Sequence, residues 1–182
     1  FVRWAVEQGH TVFMISWVNP GPAHADKTFD SYMQEGVLDA ISQIQALTGE
    51  KDVNAVGYCL GGTLLASTLA YLSAQEKQSK GKQKNPIASA TYLATLIDFS
   101  EPGEIGVYID EKQLDMLEAQ MLKEGVFSGK QMATAFNSLR ENDLIWSYWV
   151  NNYLLGKEPM AFDLLYWNCD ATNMPSKMHA FY

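Results

Sequence analysis

The sequence predicts an α/β protein, a partial parallel sheet with a helical insertion placed over it. Three observations predict it. Apolar strand-like runs alternate with helix-period stretches as far as Asp98. A cysteine framed by glycines sits between one of those runs and the helix that follows it. Beyond residue 98, three helical stretches follow one another with no strand-like run among them.

The elements read in order as follows. Arg3 to Gln8 is the end of a helix stopped by Gly9. Thr11-Val12-Phe13-Met14-Ile15-Ser16 is rich in β-branched and aromatic residues and reads as a buried strand. Asn19-Pro20-Gly21-Pro22 breaks the chain into a loop. From Asp30 to Leu47, Val37, Leu38, Ile41, Ile44 and Leu47 recur at helical spacing, and Gly49 ends the run. Val53 to Tyr58 is a short second strand, and Gly61 to Ala74 a helix. Glu76 to Asn85, with four lysines, reads as a solvated loop, and Ala88 to Phe99 as a third strand. This alternation implies parallel strands covered by helices on both faces. Glu111 to Lys123, Gly129 to Leu139 and Asp143 to Tyr153 then read as helices. The organisation expected is a partial core over 1–98 and a helical cap region over 99–182.

Composition narrows the function. With 21 acidic against 13 basic residues, the net charge of −8 argues against nucleic acid as a partner. Two cysteines, Cys59 and Cys169, make no disulfide framework. No apolar run approaches the length of a membrane span, no signal peptide is evident, and a cytoplasmic location is expected. The chain starts at Phe1 and reads as a piece of something longer.

Gly57-Tyr58-Cys59-Leu60-Gly61-Gly62 fits Gly-x-nucleophile-x-Gly. A strand precedes it and a helix follows, which is the setting that a nucleophile elbow of an α/β-hydrolase fold requires. The nucleophile of such a turn has a strained backbone, and side chains two residues before and after it would collide, so Gly57 and Gly61 are expected to be needed for steric reasons. The helix N-terminus favours a thiolate at Cys59. The Leu60 N–H is placed to donate to an oxyanion. The competing interpretation is a buried structural cysteine in a nucleotide-binding turn, but the Gly-x-Gly-x-x-Gly spacing is not met.

These residues resemble the cysteine-containing, lipase-like box of the polyhydroxyalkanoate synthases, the polymerases that link 3-hydroxyacyl-CoA units into a storage polyester. The resemblance extends to Gln8–Trp17 with Asn19-Pro20, Asn142–Trp146, Val150–Tyr153 and Phe162–Asn168, in the same order over nearly the whole chain. It is greatest to the single-subunit class I synthases that use short side-chain monomers. Val18 stands where many members have arginine, and Cys169 where serine or another small residue is usual. The resemblance implies an acyltransferase working through a covalent Cys59 acyl-thioester. It also implies a growing polyester chain and granule surface as partners, and a homodimer formed through the cap. No cofactor is implied, CoA being part of the substrate, and no His/Cys/Asp cluster has metal-ligand spacing.

The element at position 59 supports the same chemistry independently. A thiolate attacking an acyl-CoA exchanges one thioester for another at nearly equal free energy, so the acyl group stays activated for a hydroxyl. A base is still needed, and in this fold it is a His that follows an acid, which in turn follows the nucleophile. His10 and His24 precede Cys59, and His179 lies in no context that suits a base. Asp98, Asp163 and Asp170 read as structural, capping or turn residues, and Cys169 as a small filler. The resemblance places the triad Asp and His beyond Tyr182 and the second oxyanion donor before Phe1, which leaves the 182 residues inactive alone. Trp146, Tyr148, Trp149, Tyr153, Phe162, Tyr166 and Trp167 pack the cap, line the path to Cys59 or meet a second subunit. Two rivals stand beside the polymerase: a thioesterase or polyester hydrolase on the same fold, and a non-catalytic granule-associated protein.

Overall fold

The computed structural model describes residues 1–139, 141–159 and 170–182. The chain forms two compact units, Phe1–Val18 with Phe29–Phe99, and Asn19–Thr28 with Ser100–Tyr182.

The first unit opens with helix α1, Val2–Glu7, which the chain leaves through Gly9 at φ 85°. Helix α2 covers 29–48 and contains a π-helical turn at Met33–Leu38. Gly36 lies in that turn, where a Cβ would come within 2.5 Å of the Trp17 ring. Gly49, at φ 75°, closes α2 in the left-handed conformation that glycine adopts most readily. Strand β1 (Val53–Tyr58), helix α3 (Leu60–Gln78) and strand β2 (Ile87–Leu93) follow. The two strands are parallel and pair from Val53↔Ile87 to Tyr58↔Leu93, with one irregularity after Val53. Ile41 of α2, Leu65 of α3 and Ile87 of β2 form the buried core, joined by Val37, Val53, Ala55, Leu69, Leu72 and Ala90. Each such aliphatic side chain contributes about 1.5–3 kcal/mol when fully buried.

Four expectations for this unit need correction. Thr11–Ser16 is not a strand; among the described residues β1 and β2 pair only with each other, so no ladder reaches it, and Phe13, Met14 and Ile15 are exposed. The third strand stops at Leu93 instead of Phe99, because its partner β1 ends at Tyr58, where the chain turns into α3. Helix α3 runs on to Gln78, past the expected loop start at Glu76. Ala74 to Gln78 are all good helix formers, and the chain turns only at Lys80 and Gly81, with φ 53° and 77°. Finally, helices are expected on both sheet faces, whereas α2 and α3 both contribute to one core, and among the described residues no second cluster on this sheet is formed. The alternate face of β1 presents Asn54, Val56 and Tyr58, all exposed.

The second unit has a short 3₁₀ turn at Pro22–His24 and another at Gly103–Tyr108. Helix α4, Glu111–Glu124, is capped by Asp110, whose carboxylate accepts the Gln113 N–H at 3.0 Å. That bond holds the Asp110 carboxyl below its usual range. Gly125 ends α4 at φ 77°. Two-residue strands β3 (Val126–Phe127) and β4 (Met174–Pro175) pair antiparallel, a bridge absent from the sequence reading. They are too short to show a period. Helix α5 spans Gly129–Leu139, as expected, and helix α6 spans Ser176–Phe181. The expected helix at 143–153 takes the form of two π-helical turns, Asn142–Trp146 and Trp149–Leu154. Met121, Val126, Met174, Pro175 and Met178 are buried apolar residues around the β3–β4 bridge.

Candidate active site

The site is built by the join between β1 and α3. Cys59 has φ 50° and ψ −122°, a conformation that costs a non-glycine residue about 1–3 kcal/mol. The surroundings hold it there. Its N–H donates to the Leu93 carbonyl at 2.9 Å, continuing the β1–β2 ladder by one rung. Its carbonyl accepts from Gly62 N at 2.9 Å and Thr63 N at 3.3 Å, which starts α3. The side chain makes no capping bond to the helix, and the thiol is exposed. The backbone thus lifts the sulfur off the sheet and leaves it open.

Leu60 and Gly61 open α3, and the first N–H groups of a helix have no acceptor within it. With the positive end of the helix dipole, they form an anion-favouring pole beside the thiol. That pole can stabilise a negative charge that develops beside the thiol.

The glycine requirement falls differently from the motif. A Cβ on Gly57 would lie 2.5 Å from Gly62 Cα and 2.9 Å from Gly61 O, so the turn closes only over glycine. A Cβ on Gly61 would meet nothing within 4 Å. The second confined position is Gly62, whose Cβ would overlap the Thr95 side chain, 2.6 Å from Cγ2 and 2.8 Å from Cβ. Motif reasoning missed Thr95, Thr63 and the Leu93 carbonyl. The doubled glycine, one more than the elbow needs, was the available signal.

The histidines hold other posts. His10 is exposed just after α1. His24 accepts the Gly21 N–H on Nδ1 at 3.2 Å, which closes its own turn. His179 packs tilted against Phe127 with ring centroids 4.2 Å apart, and burial pushes it below its ordinary pKa. Among the described residues no histidine hydrogen-bonds to Cys59. Asp98 lies beyond the end of β2. Asp170 is an exposed bend residue. Trp146, Tyr148, Trp149 and Tyr153 are all exposed, the last two stacked at 4.3 Å. Phe162, Asp163, Tyr166, Trp167 and Cys169 lie outside the described residues. Among the described residues there is no cluster of His, Cys, Asp and Glu arranged to hold a metal ion, and no helix long and apolar enough to cross a membrane.

Strand, elbow with a positive-φ cysteine, and helix define a class, and residues 5–182 match the α/β hydrolase fold family. The chain belongs to that family. Within it, all of the chain is 55% identical to a poly(3-hydroxyalkanoate) polymerase of Methylorubrum extorquens, covering 29% of that protein. It is 50% identical, again over all of the chain, to the poly(3-hydroxyalkanoate) polymerase subunit PhaC of Rhizobium meliloti, of which it covers 29%. The corresponding subunit of Cupriavidus necator is 40% identical over the whole chain, with 30% of its length covered. The chain therefore spans under a third of the length of these curated relatives.

Proposed function

We propose that these residues form the nucleophile-bearing part of an acyltransferase that polymerises 3-hydroxyacyl-CoA thioesters into polyhydroxyalkanoate. The observation that carries the reading is Cys59, exposed at φ 50° on the elbow of a chain half identical to polymerases of that kind. The Cys59 sulfur attacks the acyl carbonyl; the bond from carbonyl to CoA sulfur breaks, and CoA leaves as its thiol. The 3-hydroxyl of another unit then attacks the Cys59 thioester, forming an ester while its proton returns to sulfur. The Leu60 N–H stabilises the oxyanion in both steps.

The base and its acid come from segments outside these 182 residues, so the piece alone is inactive. The aromatic region from Trp146 onward belongs to the cap region and takes part in a homodimer contact. The enzyme works in the cytoplasm at the surface of polyester granules, without a cofactor beyond the CoA of its substrate.

The test uses the full-length protein with 3-hydroxybutyryl-CoA, following CoA release and insoluble polyester. Both are expected, and Cys59→Ala should lower both by on the order of 10⁴-fold or more. Free 3-hydroxy acid without polymer would make it a hydrolase; no CoA release at all would make it a non-catalytic granule protein. Activity surviving in Cys59→Ala would remove the cysteine from the mechanism.

A further inference from the structure

The elbow is clasped from outside by the residues that leave β2. Leu93 ends the strand, and Ala94 follows at φ 47°, a positive-φ non-glycine residue like Cys59 itself. The kink turns Thr95 back toward α3. There both branches of its side chain lie against Gly62, in the space a Cβ would take. The Thr95 hydroxyl donates to the Leu93 carbonyl at 3.2 Å, the same oxygen that accepts the Cys59 N–H at 2.9 Å. One residue on, the Leu96 carbonyl accepts the hydroxyl of buried Thr63 at 2.6 Å, which ties the first turn of α3 to the same segment.

We infer that Thr95 is a positioning residue for the nucleophile, a β-branched wedge that fixes the start of α3 against the end of β2 and so sets where the Cys59 thiol and the Leu60 N–H point. The geometry gives the reason for its type. A β-branched side chain has few χ1 choices, so it wedges more firmly than a straight one. Its hydroxyl, bonded to Leu93 O, selects among them. Thr95 does not reach the reacting atoms; it acts through Gly62 on one side and Leu93 O on the other. The same contacts commit the Cys59 N–H to Leu93 O, so an oxyanion donor from the elbow comes from the first turn of α3, where Leu60 follows the nucleophile directly.

The effect on turnover rests on the polymerase reading, whereas the effect on the thiol does not, so the test reads both in the full-length protein. The first readout is the rate of Cys59 alkylation by iodoacetamide across pH 5–9, with Cys59→Ala as the blank for other thiols. The second is kcat and KM for 3-hydroxybutyryl-CoA. Thr95→Gly is expected to shift the alkylation profile and to lower kcat about tenfold, with KM within twofold. Thr95→Val, which keeps the branched wedge and loses only the hydroxyl, should recover most of both, and Thr95→Ser, which loses the second branch, only part. Gly62→Ala should mimic Thr95→Gly by driving the wedge out, and Gly62→Ala with Thr95→Gly should be less impaired than Gly62→Ala alone. An unchanged alkylation profile in Thr95→Gly overturns the inference, as does a loss confined to thermal stability. An altered alkylation profile in a protein that never makes polyester keeps the inference and removes the polymerase reading.

Discussion

The elbow of the first unit and the β3–β4 region of the second are held by different means. At the elbow, apart from the Thr95 and Thr63 side chains, the contacts are backbone on backbone: Gly57 against Gly62, Cys59 N–H to Leu93 O, and Gly62 and Thr63 N–H to Cys59 O. In the second unit, side-chain amides bridge segments far apart in the chain. The Asn173 N–H donates to Asn19 Oδ1 at 2.8 Å, Asn173 Nδ2 donates to Pro20 O at 3.1 Å, and Gly129 N–H donates to Asn173 Oδ1 at 2.9 Å. Ser176 Oγ and Lys177 N both donate to Ala25 O. The lesson is that the elbow is closed by packing at Gly57 and Gly62, whereas the second unit, although Gly129 is also confined against the Thr172 backbone, adds side-chain hydrogen bonds between distant segments. Loss of a hydrogen-bonding side chain should therefore weaken the second unit in a way that has no counterpart at Gly57.

The sharpest way to break that contrast is a pair of alanines on either side of the nucleophile in the full-length protein. Gly57→Ala forces a Cβ into backbone atoms that cannot swing aside and should cost about 3 kcal/mol. Gly61→Ala enters open space at the start of a helix and should be neutral or stabilising by up to about 1 kcal/mol. Urea midpoints at constant slope measure both. Equal losses would mean that the motif glycines share one steric role, as motif reasoning expects, and the observed difference in space would not matter.

Asn173→Ala tests the other half. It removes an acceptor from Gly129 N–H and a donor from Pro20 O, and should cost about 1–3 kcal/mol. Faster hydrogen exchange at the Gly129 amide should accompany it. Asn173→Asp keeps the acceptor oxygen and loses only the donor, so it should protect that amide better than alanine does. If both variants leave the amide protected, the second unit is held by its apolar residues alone.

The same contrast explains what was legible in the sequence. β1, α3 and the Cys59 elbow could be read because local pattern and steric demand coincide there, apolar run, glycines and helix formers within a dozen or so residues. Helix α2 and its Gly49 stop could be read for the same reason. The strand expected at Thr11–Ser16 could not be settled locally, since a strand exists only through a neighbour that the run itself does not name. The β3–β4 bridge was invisible because two residues have no period and its register comes from residues 126 and 175 meeting across the chain. Thr95 was missed for a related reason. Nothing in Leu93-Ala94-Thr95-Leu96 hints that the chain kinks at Ala94 and returns to Gly62.

The smallest expected effect concerns pH and is confined to the second unit. His179 is half-buried against Phe127, and desolvation holds its folded-state pKa below the ordinary value of 6.5. The unfolded chain therefore binds a proton at this site more readily than the folded one. Its contribution to stability is fully present above about pH 6.5 and is lost as pH falls toward the lower folded value. No such titrating group sits in the Ile41–Leu65–Ile87 core of the first unit. Hydrogen exchange between pH 7 and 5, corrected for the intrinsic rate, should show protection around Val126 and Phe127 falling relative to that of β1. His179→Gln, which does not titrate, should flatten that difference even if it lowers protection at every pH. Identical pH dependence in wild type and His179→Gln would assign the acid sensitivity of this region to its carboxylates. Asp26 is the first to examine then, because its pairing with Lys177 at 2.7 Å holds its carboxyl below the usual range, and that contribution too is lost as pH falls.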